Sequence, residues 1–197
     1  MAASGTERKI TLTFGGDAFA DGRVPLTLLA DKLRALQALL FHAAATVVHD
    51  QAARRGQWAN RYRDSVELRF TDARPGSLVI EAELAGSESP ALGSAYDLGE
   101  KAVDLAYQFA ATLERADPAG LVRLVPDRQE RALLLRSIES LSPDPAETYA
   151  LTFGNGSAQH AGVRLTGASR LKARILLLEQ AVAEAAVSYT HLRAHET

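Results

Sequence analysis

The sequence predicts an α+β fold: an antiparallel sheet packed by a long amphipathic helix and further helices. Three observations carry that expectation. Short segments alternate apolar and polar residues, as half-buried strands do. One long segment between them places apolar residues at helical spacing. Turn residues separate two of the strands so closely that they read as a hairpin with one wet side.

The elements follow in chain order. Lys9 to Phe14 alternates, with Ile10, Leu12 and Phe14 on one face, and Gly15-Gly16-Asp17 breaks the strand. Pro25 suits the first turn of a helix, where its missing N–H costs nothing. Leu29, Leu33, Leu36, Leu40, Ala43 and Val47 then form a sustained stripe, giving a helix from Pro25 to Ala53 that Gly56 ends. Ser65 to Phe70 and Leu78 to Leu84 alternate around the turn Asp72-Ala73-Arg74-Pro75-Gly76. Helical periodicity resumes near Ser94 and stops at Asp117-Pro118. Leu121 to Val125 reads as a short strand. Asp127 with Glu130 resembles a capping box that starts a helix carrying Leu134, Ile138 and Leu141, which Pro143 and Pro145 terminate. Thr148 to Phe153 reads as a strand, Gly162 to Thr166 as another, and Ser169 to Ala186 as a last helix.

This order divides the chain into an α+β domain over residues 1–146 and a segment 147–186. That segment either starts a second unit or continues the first. Leu12-Thr13-Phe14-Gly15 recurs as Leu151-Thr152-Phe153-Gly154, and Lys32-Leu33-Arg34-Ala35 is echoed by Arg170-Leu171-Lys172-Ala173. A duplicated strand–loop–helix unit would give that pattern, and so would shared Leu/Ala-rich composition.

Composition narrows the function classes. A net charge of −2 supplies no global field for nucleic acid or an anionic membrane, so such a partner needs a local patch. Cysteine is absent, which excludes a disulfide framework, thiolate catalysis and Cys-based zinc sites. The residues from Met1 to Lys9 lack the apolar core of a signal peptide. The longest apolar run, Ala35 to Val48, is too short to span a bilayer, so no membrane partner is expected and the cytoplasm is the expected location. Arg outnumbers Lys and Ala is abundant, as GC-rich bacterial coding would give.

The strongest candidate chemistry is the segment Arg54-Arg55-Gly56-Gln57-Trp58-Ala59-Asn60-Arg61-Tyr62-Arg63. Arginines grip phosphates and aromatic rings stack on unpaired bases. Arg54, Arg55, Trp58, Arg61, Tyr62 and Arg63 are therefore candidate contacts for single-stranded DNA or RNA. The alternative is a linker whose rings pack on the core while the arginines face water. His42 and His49 lie two helical turns apart, too far for one metal ion without a third element between them. Glu81 and Glu83 share one hairpin face, where mixed charge is the ordinary pattern of a wet sheet. No nucleophile elbow, metalloprotease motif, P-loop or dinucleotide fingerprint is present, so the sequence assigns no catalytic residue, metal or cofactor.

The order strand, helix, hairpin, helix resembles small RNA-binding α+β domains, although their signature loops are missing and no residue carries over. The layout also resembles uncharacterised bacterial α+β proteins. At the other end, Val187-Ser188-Tyr189-Thr190-His191-Leu192-Arg193-Ala194-His195-Glu196-Thr197 resembles the translated read-through of a transposase-type sequencing adapter, as in a metagenomic assembly. That resemblance implies a natural chain cut off near Ala186. It also implies that the i, i+4 pair His191 and His195 is not a natural metal site. The expectation is a non-enzymatic domain that binds a protein partner or itself, because the long Leu-rich helix and the missing C-terminus would both leave apolar surface needing a partner. Nucleic-acid binding through the Arg54–Arg63 segment is the alternative. An enzyme whose site is not legible is a third reading.

Overall fold

The computed structural model describes residues 9–52, 66–74, 78–86, 98–154 and 162–194. Its elements run β1 (Lys9–Gly15), a 3-10 turn (Asp17–Phe19), α1 (Leu26–Ala52), β2 (Val66–Arg74), β3 (Leu78–Gly86), α2 (Leu98–Glu114), α3 (Pro118–Leu124), α4 (Arg128–Leu141), β4 (Ala150–Gly154), β5 (Val163–Leu165) and α5 (Gly167–Ala194). The strands form one antiparallel sheet of order β2-β3-β1-β4-β5, with α1 and α2 packed on it. The fold is α+β, as the periodicities require.

β1 sits at the centre because its apolar residues have partners on both sides. Leu12 lies opposite Ile80 in β3 and opposite Phe153 in β4. Ile10, Leu12, Phe14, Ile80, Leu151 and Phe153 are all buried, while Thr11, Thr13 and Thr152 on the other face are half-buried. In β2 the register shifts between Phe70 and Asp72, after which Ala73 stands opposite Ile80. The bulge therefore restores an apolar partner where strict alternation would have set Asp72.

The echoed tetrapeptides are neighbours in space. Thr13 pairs with Thr152, Leu12 with Phe153 and Phe14 with Leu151, so a local two-fold axis passes through the Thr13–Thr152 pair. α1 and α5, which carry the second echo, pack against α4. The likeness ends there, because β1 is flanked by β3 from beyond α1, whereas β4 is flanked by β5 directly before α5.

Gly16 makes the tight exit from β1. Its φ is +119°, and a Cβ there would lie 2.9 Å from the Thr148 carbonyl oxygen. That close approach seats Phe19 against Phe14 and Tyr149, with ring centroids 5.7 and 4.8 Å away.

Two expectations need correction. Leu121 to Val125 is not a strand: α3 covers residues 118–124. Asp117 accepts a hydrogen bond from the Gly120 amide at 2.7 Å, and Pro118 occupies the first turn. Asp-Pro thus starts a helix as well as following one, since proline lacks only an N–H that the first turn leaves unpaired. The second correction concerns α1, which offers no free apolar stripe. Between residues 28 and 48 only Asp31 and Arg34 are exposed. Leu36, Leu39, Leu40, Ala43, Ala44 and Val48 are buried because α2 and α4 enclose the helix together with the sheet.

Elsewhere the differences are of extent. α4 begins as its cap predicts, with Asp127 accepting from the amides of Gln129 at 2.9 Å and Glu130 at 3.0 Å. α5 starts at Gly167 and continues past Ala186 to Ala194. Its start is a reciprocal cap: Thr166 Oγ1 accepts from the Ala168 amide and Ser169 Oγ from the Thr166 amide.

Candidate functional site

The residues singled out as nucleic-acid contacts, Arg54, Arg55, Trp58, Arg61, Tyr62 and Arg63, lie outside the described residues. So do His160 and His195, and the side chains of His49, Glu81, Glu83 and His191. The β-sheet register still places the glutamates: Glu83 stands between Lys9 in β1 and Arg69 in β2, and Glu81 between Thr11 in β1 and Asp72 in β2. His42 is half-buried with its ring edge-on to Phe41, and burial lowers its pKa. Among the described residues no group of three His, Cys, Asp or Glu side chains could hold a metal ion. Nor is any helix there long and apolar enough to cross a membrane.

The sheet face away from the core carries Thr11, Thr13, Thr152 and exposed Arg164. Phe14 and Phe153 project into the core instead. Among the described side chains this face also carries Val79 beside Thr13, so it holds hydroxyls, a guanidinium and an aliphatic group but no ring on which a base would stack.

Two polar features were not legible beforehand. The first is Lys32, a buried lysine whose Nζ donates to the carbonyl oxygens of Ser140 at 3.0 Å and Ser142 at 2.7 Å. It caps the C-terminal end of α4, where unpaired carbonyls and the helix dipole favour a cation. Burial lowers its pKa, opposed chiefly by the Glu147 carboxylate. Lys172 does the same for α2, donating to the Glu114 carbonyl at 2.8 Å and to its carboxylate at 3.3 Å.

The second feature is Tyr149, which is buried with its hydroxyl unpartnered. Burial first, then the Glu147 carboxylate, which lies near the hydroxyl although their geometry falls short of a well-formed hydrogen bond, raise its pKa above the ordinary 10.0; Asp144 adds to the rise and Arg170 opposes it. The folded state therefore keeps this proton after the unfolded state has lost it, so stability falls as pH rises above that value. Tyr149→Phe is expected to remove this alkaline loss. It should leave neutral-pH stability equal or higher, because an unsatisfied buried hydroxyl costs about 1–3 kcal/mol. Thermal melts of both proteins at neutral and alkaline pH check this.

A groove of about 270 Å³ runs between α3, α4 and α5, with Leu121, Val122, Leu135 and Leu176 as its apolar lining and Arg128 and Arg131 at its edge. Arg131 donates to the carbonyls of Val125 at 2.6 Å and Pro126 at 3.0 Å, and Arg128 Nε pairs with Glu184 at 3.4 Å. Arg128 Nη2 and Gln180 Oε1, which also lines the groove, are buried without hydrogen-bond partners among the described residues.

The most distinctive surface is the outer side of α5. Its inner side places Ser169 and Ala173 in the core with Leu176 and Leu177 packed against it. Half a turn round the axis, Leu171, Ile175, Leu178 and Val182 stand 47, 54, 59 and 69% exposed. Their 4-3-4 spacing makes one straight row about 16 Å long. α5 is thus apolar on two opposite sides, of which its own fold buries one.

No protein-family model, curated protein or solved structure matches this chain.

Proposed function

We propose that this chain is a non-enzymatic protein-interaction domain that self-associates through the outer side of α5. The observation that supports the reading is the row Leu171, Ile175, Leu178 and Val182, four aliphatic side chains exposed together on one straight helix. Isolated exposed leucines are ordinary on protein surfaces, whereas a contiguous apolar row marks a contact surface. All four residues precede Val187, so the reading does not depend on the adapter-like residues.

Sedimentation velocity of the full chain across a micromolar concentration series tests this. The expected result is a mass that rises above the monomer with concentration. Leu178→Glu should hold the protein monomeric while leaving its circular dichroism and melting temperature nearly unchanged, because surface substitutions outside the core move stability by about 0.5 kcal/mol or less. A chain that stays monomeric throughout would reject self-association.

A further inference from the structure

Resting on that reading, we infer that the partner of α5 is α5 of a second copy, running antiparallel, with Ile175 of each chain packed against Leu178 of the other. The 4-3-4 row has the spacing of a two-helix seam, in which alternate apolar positions fill holes on the facing helix. In an antiparallel pair the row is its own complement. Leu171 meets the second copy's Val182, Ile175 meets its Leu178, and the two remaining layers repeat these by symmetry. All four exposed aliphatic residues are then buried with no apolar position left over, as a closed two-fold contact requires.

Charge favours the antiparallel direction. Along α5 the basic residues Arg170, Lys172 and Arg174 precede the acidic Glu179 and Glu184. α4 and the residues just after it already use this polarity within the chain. Arg170 pairs with Asp144 at 3.8 Å, Arg174 with Glu139 at 3.9 Å and Glu184 with Arg128 at 3.4 Å, a ladder that sets α4 and α5 antiparallel. Lys172 and Glu179 lie on the opposite flank of the exposed row. Among the described residues Glu179 has no ion-pair partner, and Lys172 spends two of its three N–H donors on Glu114. An antiparallel pair sets each Lys172 within reach of the second copy's Glu179. A parallel pair would set the basic stretch from Arg170 to Arg174 of one helix alongside that of the other, which like-charge repulsion opposes.

The absence of cysteine makes the register directly readable by engineered disulfides. Ile175→Cys and Leu178→Cys proteins of distinguishable mass would be oxidised singly and as a mixture. Both positions are exposed in the monomer, so neither substitution disturbs the core. The expected result is a mixed 175–178 cross-link that forms several-fold faster than either self-link. Glu179→Lys should weaken dimerisation about tenfold, the effect of about 1.4 kcal/mol of lost complementarity. Self-links that form faster than the mixed link would overturn the antiparallel register. Absence of any cross-link in a protein that sediments as a dimer would place the contact elsewhere. Either result leaves self-association standing, whereas a monomer in sedimentation removes both.

Discussion

Phe153→Ala is expected to cost about 3–5 kcal/mol of folding stability, the range for deleting a fully buried aromatic side chain from a core that cannot collapse around the gap. Phe153 is 0% exposed. It stands opposite Leu12 in β1 and Val163 in β5, and its ring lies 6.4 Å from that of Tyr107 on α2. The position joins strands from distant parts of the chain beneath the helix that covers them, so the lost contacts weaken three elements at once. Leu133→Ala supplies the contrast. Leu133 is 37% exposed on α4, and its truncation should cost well under half as much. Urea unfolding at neutral pH checks both, with the midpoint moving far for Phe153 and little for Leu133 while the slope is preserved.

The same burial explains which parts of the fold could be read from the sequence. Ile10, Leu12 and Phe14 alternate because β1 is buried on one face and half-exposed on the other, and that asymmetry is written into consecutive residues. α1 is a harder case. Its helical period was plain, but its stripe ran through Leu29, Leu33 and Val47, which are only partly buried, while Leu39, Ala44 and Val48 are fully buried. A helix enclosed on several sides carries a wide apolar surface, and periodicity marks one line within it. α5 poses the opposite difficulty. Its core residues Ala173, Leu176 and Leu177 interleave with the exposed row, so the pattern looks apolar all round and neither side stands out. A search for a 4-3-4 row beside the core stripe would have found it.

Asp117-Pro118 shows a different limit, because the same dipeptide punctuates two helices while the sequence signal marks only the end of the first. Of the candidate site, the Arg54–Arg63 segment was legible by composition alone. Lys32 was visible as a lysine one turn before Leu36 in an apolar row. Its partners, Ser140 and Ser142, lie 108 and 110 residues away, and nothing local announces them.

Lys32 gives the other large expected effect. Lys32→Ala should destabilise the fold by roughly 2–4 kcal/mol, combining lost packing with two lost charge-assisted hydrogen bonds. Two opposing terms set the size. Burial of the ammonium costs stability, as its lowered pKa records, and substitution returns that cost. Against it stands above all the Ser142 carbonyl just past the end of α4, in a residue 0% exposed, which would lose its donor without gaining water, while the more exposed Ser140 carbonyl can turn to solvent. The second term wins, because a buried acceptor left unpaired bears its full desolvation penalty. Lys32→Met separates the contributions by keeping most of the volume, so it should retain roughly 1–3 kcal/mol of the loss. The pH dependence carries a further signature. With its folded pKa below the ordinary 10.5, Lys32 releases its proton in the folded state before the unfolded state does. Between those two values the unfolded state holds more protons, so this residue's contribution rises with pH there and is lost as pH falls through the folded pKa. Tyr149 acts in the opposite direction above its ordinary 10.0, so the comparison belongs in a Tyr149→Phe background. In that background, alkaline pH should widen the stability gap between Lys32→Met, which does not titrate, and its parent, because the neutral amine no longer bears the desolvation cost. A gap that narrows instead would mean that the two carbonyls hold the folded pKa above 10.5 rather than below it. Thermal melts stepped through the alkaline range check this.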